Sequence, residues 1–138
     1  MLRQAVIADI AGMHHVRVAV RENSLSSPDR ITEADYISVI DGLGRGWVVE
    51  SHGAIVGFAF GLRSGNIWAL FMHPDHENCG HGKSLHSTMV NWLWSLGLTR
   101  LWLTTDPGTR AERFYLSQGW QLCDITDSGE RRFELNGP

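Results

Sequence analysis

Three observations predict an α/β fold on a mixed sheet for these 138 residues. Apolar runs of strand character are interleaved with segments of helical period. The three central strands follow one another across short turns, as an antiparallel meander does, and the helix after them leads to another apolar strand, which calls for a parallel crossover. The expected order is strand, two helices, three strands, helix, strand, helix, two strands. No repeat, low-complexity tract or charge block interrupts the chain, so residues 1–138 read as one domain, enough to bury roughly two thirds of the unfolded surface.

The elements are read in turn. A strand from Leu2 to Val6 leads to Asp9, placed as an N-cap, and then Ile10, Met13, Val16 and Val20 recur at helical spacing. The polar stretch "RENSLSSPDR" breaks that helix. Thr32 with Asp35 three residues on resembles a capping box for a second helix through Tyr36, Val39 and Ile40, ending at "DGLGRG". "WVVE", "AIVGFAFGL" and "IWALFM" are strands joined by turns at "SHG" and "RSGN". Leu85, Met89, Trp92, Leu93 and Leu96 form the stripe of a third helix, with Gly97 as its C′ residue. "RLWLTT" is the next strand, parallel to "IWALFM" through a right-handed crossover. Thr109 and Glu112 make a second capping box for a helix that carries Ala111, Phe114 and Tyr115 and ends at Gly119, and "WQLCDI" and "RRFEL" close the chain as a hairpin around "DSGE".

A net charge of -3 and a pI near 6.1, with arginines scattered, argue against a nucleic-acid protein and for an enzyme of small molecules. The start, "MLRQAVIADI", has neither the apolar run of a membrane span nor that of a secretory signal. Cys79 and Cys123 alone do not make a disulfide framework, and the expected compartment is the cytoplasm.

The stretch "HENCGHGKSLHS" looks like the close of a nucleotide-binding P-loop. A Walker A loop requires glycine at position 77, where this chain has Glu77, and the loop does not follow the first strand. The triphosphate reading is therefore set aside. The remaining pattern is an apolar strand, a proline, a glycine loop and an amphipathic helix, whose unpaired first-turn amides suit an anion.

In these residues the chain resembles the GNAT superfamily of acyl-CoA-dependent N-acetyltransferases. Met72, His73 and Pro74 resemble the family's strand end of Val, any residue, Pro, and Glu77 to Gly82 resembles its loop of Gln or Arg, two residues, Gly, one residue, Gly or Ala. "TRAERFYLSQGW" resembles its second motif, and the order of elements matches over essentially the whole chain. The resemblance implies acetyl-CoA as co-substrate, its diphosphate among the backbone amides of Asn78, Cys79, Gly80, His81, Gly82 and Lys83. It also implies that the pantetheine arm lies along Leu70, Phe71 and Met72. Ala111 and Phe114 fall in the second motif, and Gly108 stands where family members often place an Asn. Glu77 departs from the pattern, with a charge that repels a diphosphate unless it turns away or meets a cation, for which Lys83 is the candidate.

The family reaction is direct attack of a neutral amine on the thioester. By resemblance, a backbone amide near Met72 holds the oxyanion and Tyr115 protonates the leaving thiolate, although on spacing alone Tyr115 is a core aromatic. An alkyl ammonium with a pKa near 10 must first lose a proton. The Glu that many members carry in the preceding strand is Trp68 here, so Glu22, in the segment between the first two helices, is the candidate base, with Arg21, Asn23 and Ser24 as polar handles for a small-molecule or peptide amine; its alternative is a solvated loop carboxylate. No nucleic-acid or membrane partner is expected.

Two rivals stay open. His73, His76, Cys79 and His81 offer ligand chemistry for zinc or nickel, in spacings that match no standard zinc pattern. Trp68 at the usual base position also admits an acyl-CoA-binding regulator without transfer. Trp94, opposite the apolar stripe with Val90 nearby, marks a possible homodimer contact, or else packs on the C-terminal hairpin.

Overall fold

The computed structural model describes residues 1–20, 32–77 and 79–138. The elements are β1 (Leu2–Gln4), α1 (Ile10–Ala19), α2 (Glu33–Ser38), β2 (Gly44–Ser51), β3 (Ala54–Leu62), β4 (Ile67–Met72), α3 (His81–Ser95), β5 (Arg100–Thr105), α4 (Arg110–Ser117), β6 (Gln121–Ile125) and β7 (Arg131–Asn136). Short 3-10 turns precede α1 and α3, and a π turn over Val39–Leu43 extends α2. This is the expected order. No helix among the described residues is long and apolar enough to cross a membrane.

Strands β1 to β4 form one antiparallel sheet in chain order, and β5, β7 and β6 form a second with β7 in the middle. The expected parallel pairing of β4 with β5 is confined to its beginning. A single parallel bridge joins Asn66 to Trp102, supported by Trp102 N–H to Gly65 O at 3.0 Å and by Asn66 Nδ2 to Trp102 O at 3.3 Å. Beyond it β4 stays with β3 and β5 takes β7, so the strands separate towards their C-terminal ends. That divergence positions the site.

Period-two alternation distributes the core over both faces of the first sheet. Trp47, Val49 and Ala59 lie on one side with Leu85, Met89 and Leu93 of α3. Val48, Phe58 and Phe60 lie on the other with Met13 and Val16 of α1 and Tyr36 of α2. Leu96, expected in the α3 stripe, is exposed instead, because the helix has already reached its C-cap. Gly97 follows at φ +88°, its N–H bonded to Trp94 O at 3.0 Å, the left-handed stop foreseen for it.

Other local expectations require correction. Asp9 does not cap α1 through its side chain; its carboxylate accepts from Val6 N–H at 2.8 Å and from both terminal nitrogens of Arg3 at 2.8 Å, tying β1 to the 3-10 turn. Arg3 also pairs with Glu50 of β2. Thr32 and Asp35 do form the capping box of α2. At α4, Thr109 Oγ1 accepts from Glu112 N–H at 3.2 Å, but the Glu112 carboxylate reaches Gly108 N–H at 3.1 Å and Arg131 at 3.0 Å, which links the helix to β7. Trp94 is half-buried, its ring beside Gly137 at the C-terminal end, and Val90 is buried. The indole packs within its own chain because β7 returns beside α3.

Candidate active site

A cleft of about 880 Å³ opens where β4 and β5 part, walled by the end of α1, by β4 and the turn after it, by the start of α3 and by α4. Its geometry begins with β4. The His73 N–H bonds to Val56 O of β3 at 2.8 Å. Amide directions alternate along a strand, so the Met72 N–H points away from β3, towards the side that β5 has left. Leu70, Phe71 and Met72 all line the cleft.

The glycine loop supplies the second wall. Gly80 is the N-cap of α3 at φ +83°, a backbone state that only glycine adopts without strain. The first intrahelical bond is Ser84 N–H to Gly80 O at 3.1 Å, so the amides of His81, Gly82 and Lys83 have no partner within the helix. They form the positive end of a 15-residue helix. A methyl at Gly82 would meet only Met72 Cγ, at 3.7 Å, so this position keeps the backbone open to a ligand rather than relieving a clash. Gly80, Gly82 and Lys83 line the cleft.

Glu77 lines it too, but its charge is answered. Arg110 Nε, at the start of α4, lies 2.9 Å from the Glu77 carboxylate. The partner is therefore not the expected Lys83 but Arg110, which α4 brings against the loop. Cys79 and His81 are not among the cleft walls, and Gly108 is not either. The Cys79 thiol is exposed and turns to Glu77 O at 3.6 Å, and the Gly108 N–H is taken by Glu112. The Gly108 amide is therefore already engaged. Asn78 lies outside the described residues, as do Glu22, Arg21, Asn23 and Ser24.

α4 closes the site with Ala111, Phe114 and Tyr115 along the cleft. Tyr115 is buried against Phe114 and Trp120, both with ring centroids at 5.6 Å, and burial pushes its phenol well above the usual tyrosine value. The group therefore stays protonated through the neutral range. Behind it, His86 of α3 accepts from Trp120 Nε1 at 2.9 Å, and burial pushes its pKa down to about 4. A neutral imidazole thus holds Trp120, and through it the Tyr115 ring.

Trp68 is half-buried and packs on Tyr36 and Phe60, with centroids at 5.6 and 5.4 Å, so an indole fills the aromatic cluster where a carboxylate was usual. His73 and His76 line the cleft as well. The Nδ1 of His73 accepts from Asp75 N–H at 3.1 Å, capping the 3-10 turn over Pro74–His76. Among the described residues no group of three or more His, Cys, Asp or Glu side chains is placed to hold a metal ion, so the rival metal reading of His73, His76, Cys79 and His81 is not carried further. Val18, Ala19 and Arg110 are cleft residues that the sequence did not single out, and Val20, expected on the stripe of the first helix, is instead its extended C-cap and lines the cleft. Only the "TR" that opens the second motif drew attention to Arg110.

A two-sheet fold split at β4, with a glycine loop and helix start at the split, presents unpaired amides that suit an anionic ligand. The family described as acetyltransferase (GNAT) matches residues 11–120, and the chain belongs to it. An uncharacterized ycf52-like N-acetyltransferase from Prochlorococcus marinus is 41% identical over 56 residues, a match spanning 41% of this chain and 30% of that protein. Among solved structures, a GNAT-family acetyltransferase from Staphylococcus aureus Mu50 superimposes with a TM-score of 0.83 at 16% identity, covering 99% of this chain and 98% of that one. The PaiA N-acetyltransferase of Thermoplasma acidophilum, in complex with coenzyme A, gives 0.81 at 14%, covering 99% and 98%. The ribosomal-protein-S18-alanine N-acetyltransferase of Escherichia coli gives 0.78 at 16%, covering 99% and 92%. These likenesses establish the fold.

Proposed function

We propose that the chain transfers an acetyl group from acetyl-CoA to a primary amine on a small-molecule or peptide acceptor, by direct attack. One observation carries this reading: Gly80, Gly82 and Lys83 at the start of α3, Met72 with its outward-facing amide, and Tyr115 line one cleft. The residues present suit a CoA ester. The amides of Cys79, Gly80, His81, Gly82 and Lys83, with that of Asn78 proposed on sequence grounds, hold the diphosphate without needing side chains. Leu70, Phe71 and Met72 offer an unpaired strand edge to an amide-bearing arm. The thioester supplies the activated carbonyl.

Three tasks then fall to the protein. The Met72 N–H stabilises the oxyanion, aligned before reaction and so without reorganisation cost. Tyr115, held in its protonated form by burial, gives its proton to the leaving sulfur. Glu22 is the proposed base for the ammonium, a role that rests on the sequence alone. The exposed, unbridged Cys79 and Cys123 fit a reducing compartment, and the cytoplasm is proposed.

A thiol-release assay with acetyl-CoA against a broad amine panel tests the reading: amine-dependent release is expected. The packing of Trp68 among Tyr36 and Phe60 favours one second reading, a domain that binds acyl-CoA without transferring. Tight CoA binding in calorimetry, with no release for any amine, would establish that instead.

A further inference from the structure

At the end of the cleft proposed to hold a diphosphate, the protein places an anion of its own. Glu77, which opens the glycine loop, and Arg110, the first residue of α4, line the cleft together with Gly80, Gly82 and Lys83. Arg110 Nε lies 2.9 Å from the Glu77 carboxylate, so the pair joins the loop to α4 beside the first-turn amides of α3. The Arg110 side chain is 44% exposed and that of Glu77 27%, so water reaches both and the pair is weakly held.

A carboxylate and a phosphate ester present the same feature to a guanidinium, neighbouring anionic oxygens that accept from its N–H groups. With a diphosphate on the α3 amides, Glu77 and the ligand would have to share one cation while repelling each other. The ligand is fixed by backbone; the Glu77 side chain is partly exposed and can turn to water. We infer that Glu77 is a built-in competitor for Arg110: on binding of CoA the pair opens, Arg110 passes to the phosphates, and Glu77 turns to solvent. This rests on the reading of the cleft as a CoA site and adds that the ion pair is exchanged, not kept. Opening the pair opposes acetyl-CoA and CoA alike, so its consequence for turnover is faster release of spent CoA.

The test is CoA affinity, by calorimetry at low ionic strength, for the unaltered protein, Glu77→Gln, Arg110→Gln and the double variant, with melting profiles to report folding. Arg110→Gln should weaken binding about tenfold. Glu77→Gln should tighten it about threefold where Arg110 is present and hardly at all where it is replaced, since no pair is then left to open. A pair kept in the complex gives the opposite order: without Arg110 the Glu77 charge faces the diphosphate unanswered, and removing it helps more. An equal or larger benefit of Glu77→Gln in the Arg110→Gln background would therefore overturn the inference. Pantetheine, which lacks the diphosphate, should bind all four proteins alike, and a Glu77→Gln benefit that persists with pantetheine counts against exchange. If Arg110→Gln leaves no measurable binding, the Arg110 Nε–H resonance of the unaltered protein decides. Movement on adding CoA but not pantetheine supports exchange, and a resonance that CoA leaves in place refutes it. Absence of CoA binding in the unaltered protein is a different outcome, which removes the CoA reading and this inference with it.

Discussion

Tyr115 combines two properties that a phenol in water lacks together: it faces the cleft, and burial holds its proton above the normal tyrosine range. Replacing it with Phe keeps the ring packing on Phe114 and Trp120 and removes only the donor. Tyr115→Phe should therefore lower kcat about 10²-fold while CoA affinity changes little, as single-turnover thiol release and calorimetry can check. Since its pKa is raised, no loss of rate from tyrosine ionisation is expected up to pH 9.5. Glu77 is argued differently. Its ion pair with Arg110 joins two partly exposed side chains, worth about 0.2–1 kcal/mol, against which stands its repulsion of a bound diphosphate. Glu77→Gln should tighten CoA binding by about threefold at low ionic strength, an advantage that fades in high salt. No change, or weakening at every ionic strength, would mean that the pair serves chiefly to order the loop.

The helices carry the site by their ends and are held by their flanks. α3 presents its first turn to the cleft and uses His86, one turn deeper, to fix Trp120 just beyond α4. The pH consequence has a definite sign. The unfolded imidazole titrates near 6.5 and the folded one near 4, so the unfolded chain binds the proton more readily between those values. Stability is complete above pH 6.5 and falls as the pH drops, by about 2 kcal/mol at pH 5 and about 3 kcal/mol at pH 4. Urea unfolding at pH 7 and pH 5 should show this loss, and His86→Gln, which keeps an acceptor for Trp120 but does not titrate, should flatten it. The glycine loop gives a second contrast. Gly80→Ala should cost about 1–2 kcal/mol from its positive φ. Gly82→Leu should leave the melting temperature nearly unchanged but abolish CoA binding, because its side chain would enter open space beside Met72.

Across the molecule, the split between the two sheets joins these parts, and a ligand in that split spans two sheets whose strands, among the described residues, are linked by one parallel bridge. Saturating CoA at about 100 times its dissociation constant should add about 2.7 kcal/mol, or roughly 8 °C in melting temperature, readable by scanning calorimetry. A shift no larger with CoA than with pantetheine, which lacks the diphosphate, would contradict a loop that grips it. The packing of Trp94 beside Gly137 leaves the homodimer expectation without the exposed tryptophan on which it rested.

Element order was legible in the residues because each element advertises itself locally, through the α3 stripe, the Thr32 and Asp35 cap, and glycines at helix ends. The loop proposed to hold phosphate was legible for the same reason, since a backbone cradle depends on glycine spacing and a following helix. Contacts between distant segments were not. Nothing near Glu77 in sequence reveals that Arg110 answers it, 33 positions away; nothing near Asp9 reveals that Arg3 and not the helix start claims its carboxylate; and the parting of β4 from β5 is decided by β7 competing for β5. Local pattern determines which elements form, because propensity and periodicity act within a few residues. Which charges meet, and where a sheet opens, is settled only when segments far apart in the chain compete for the same partners.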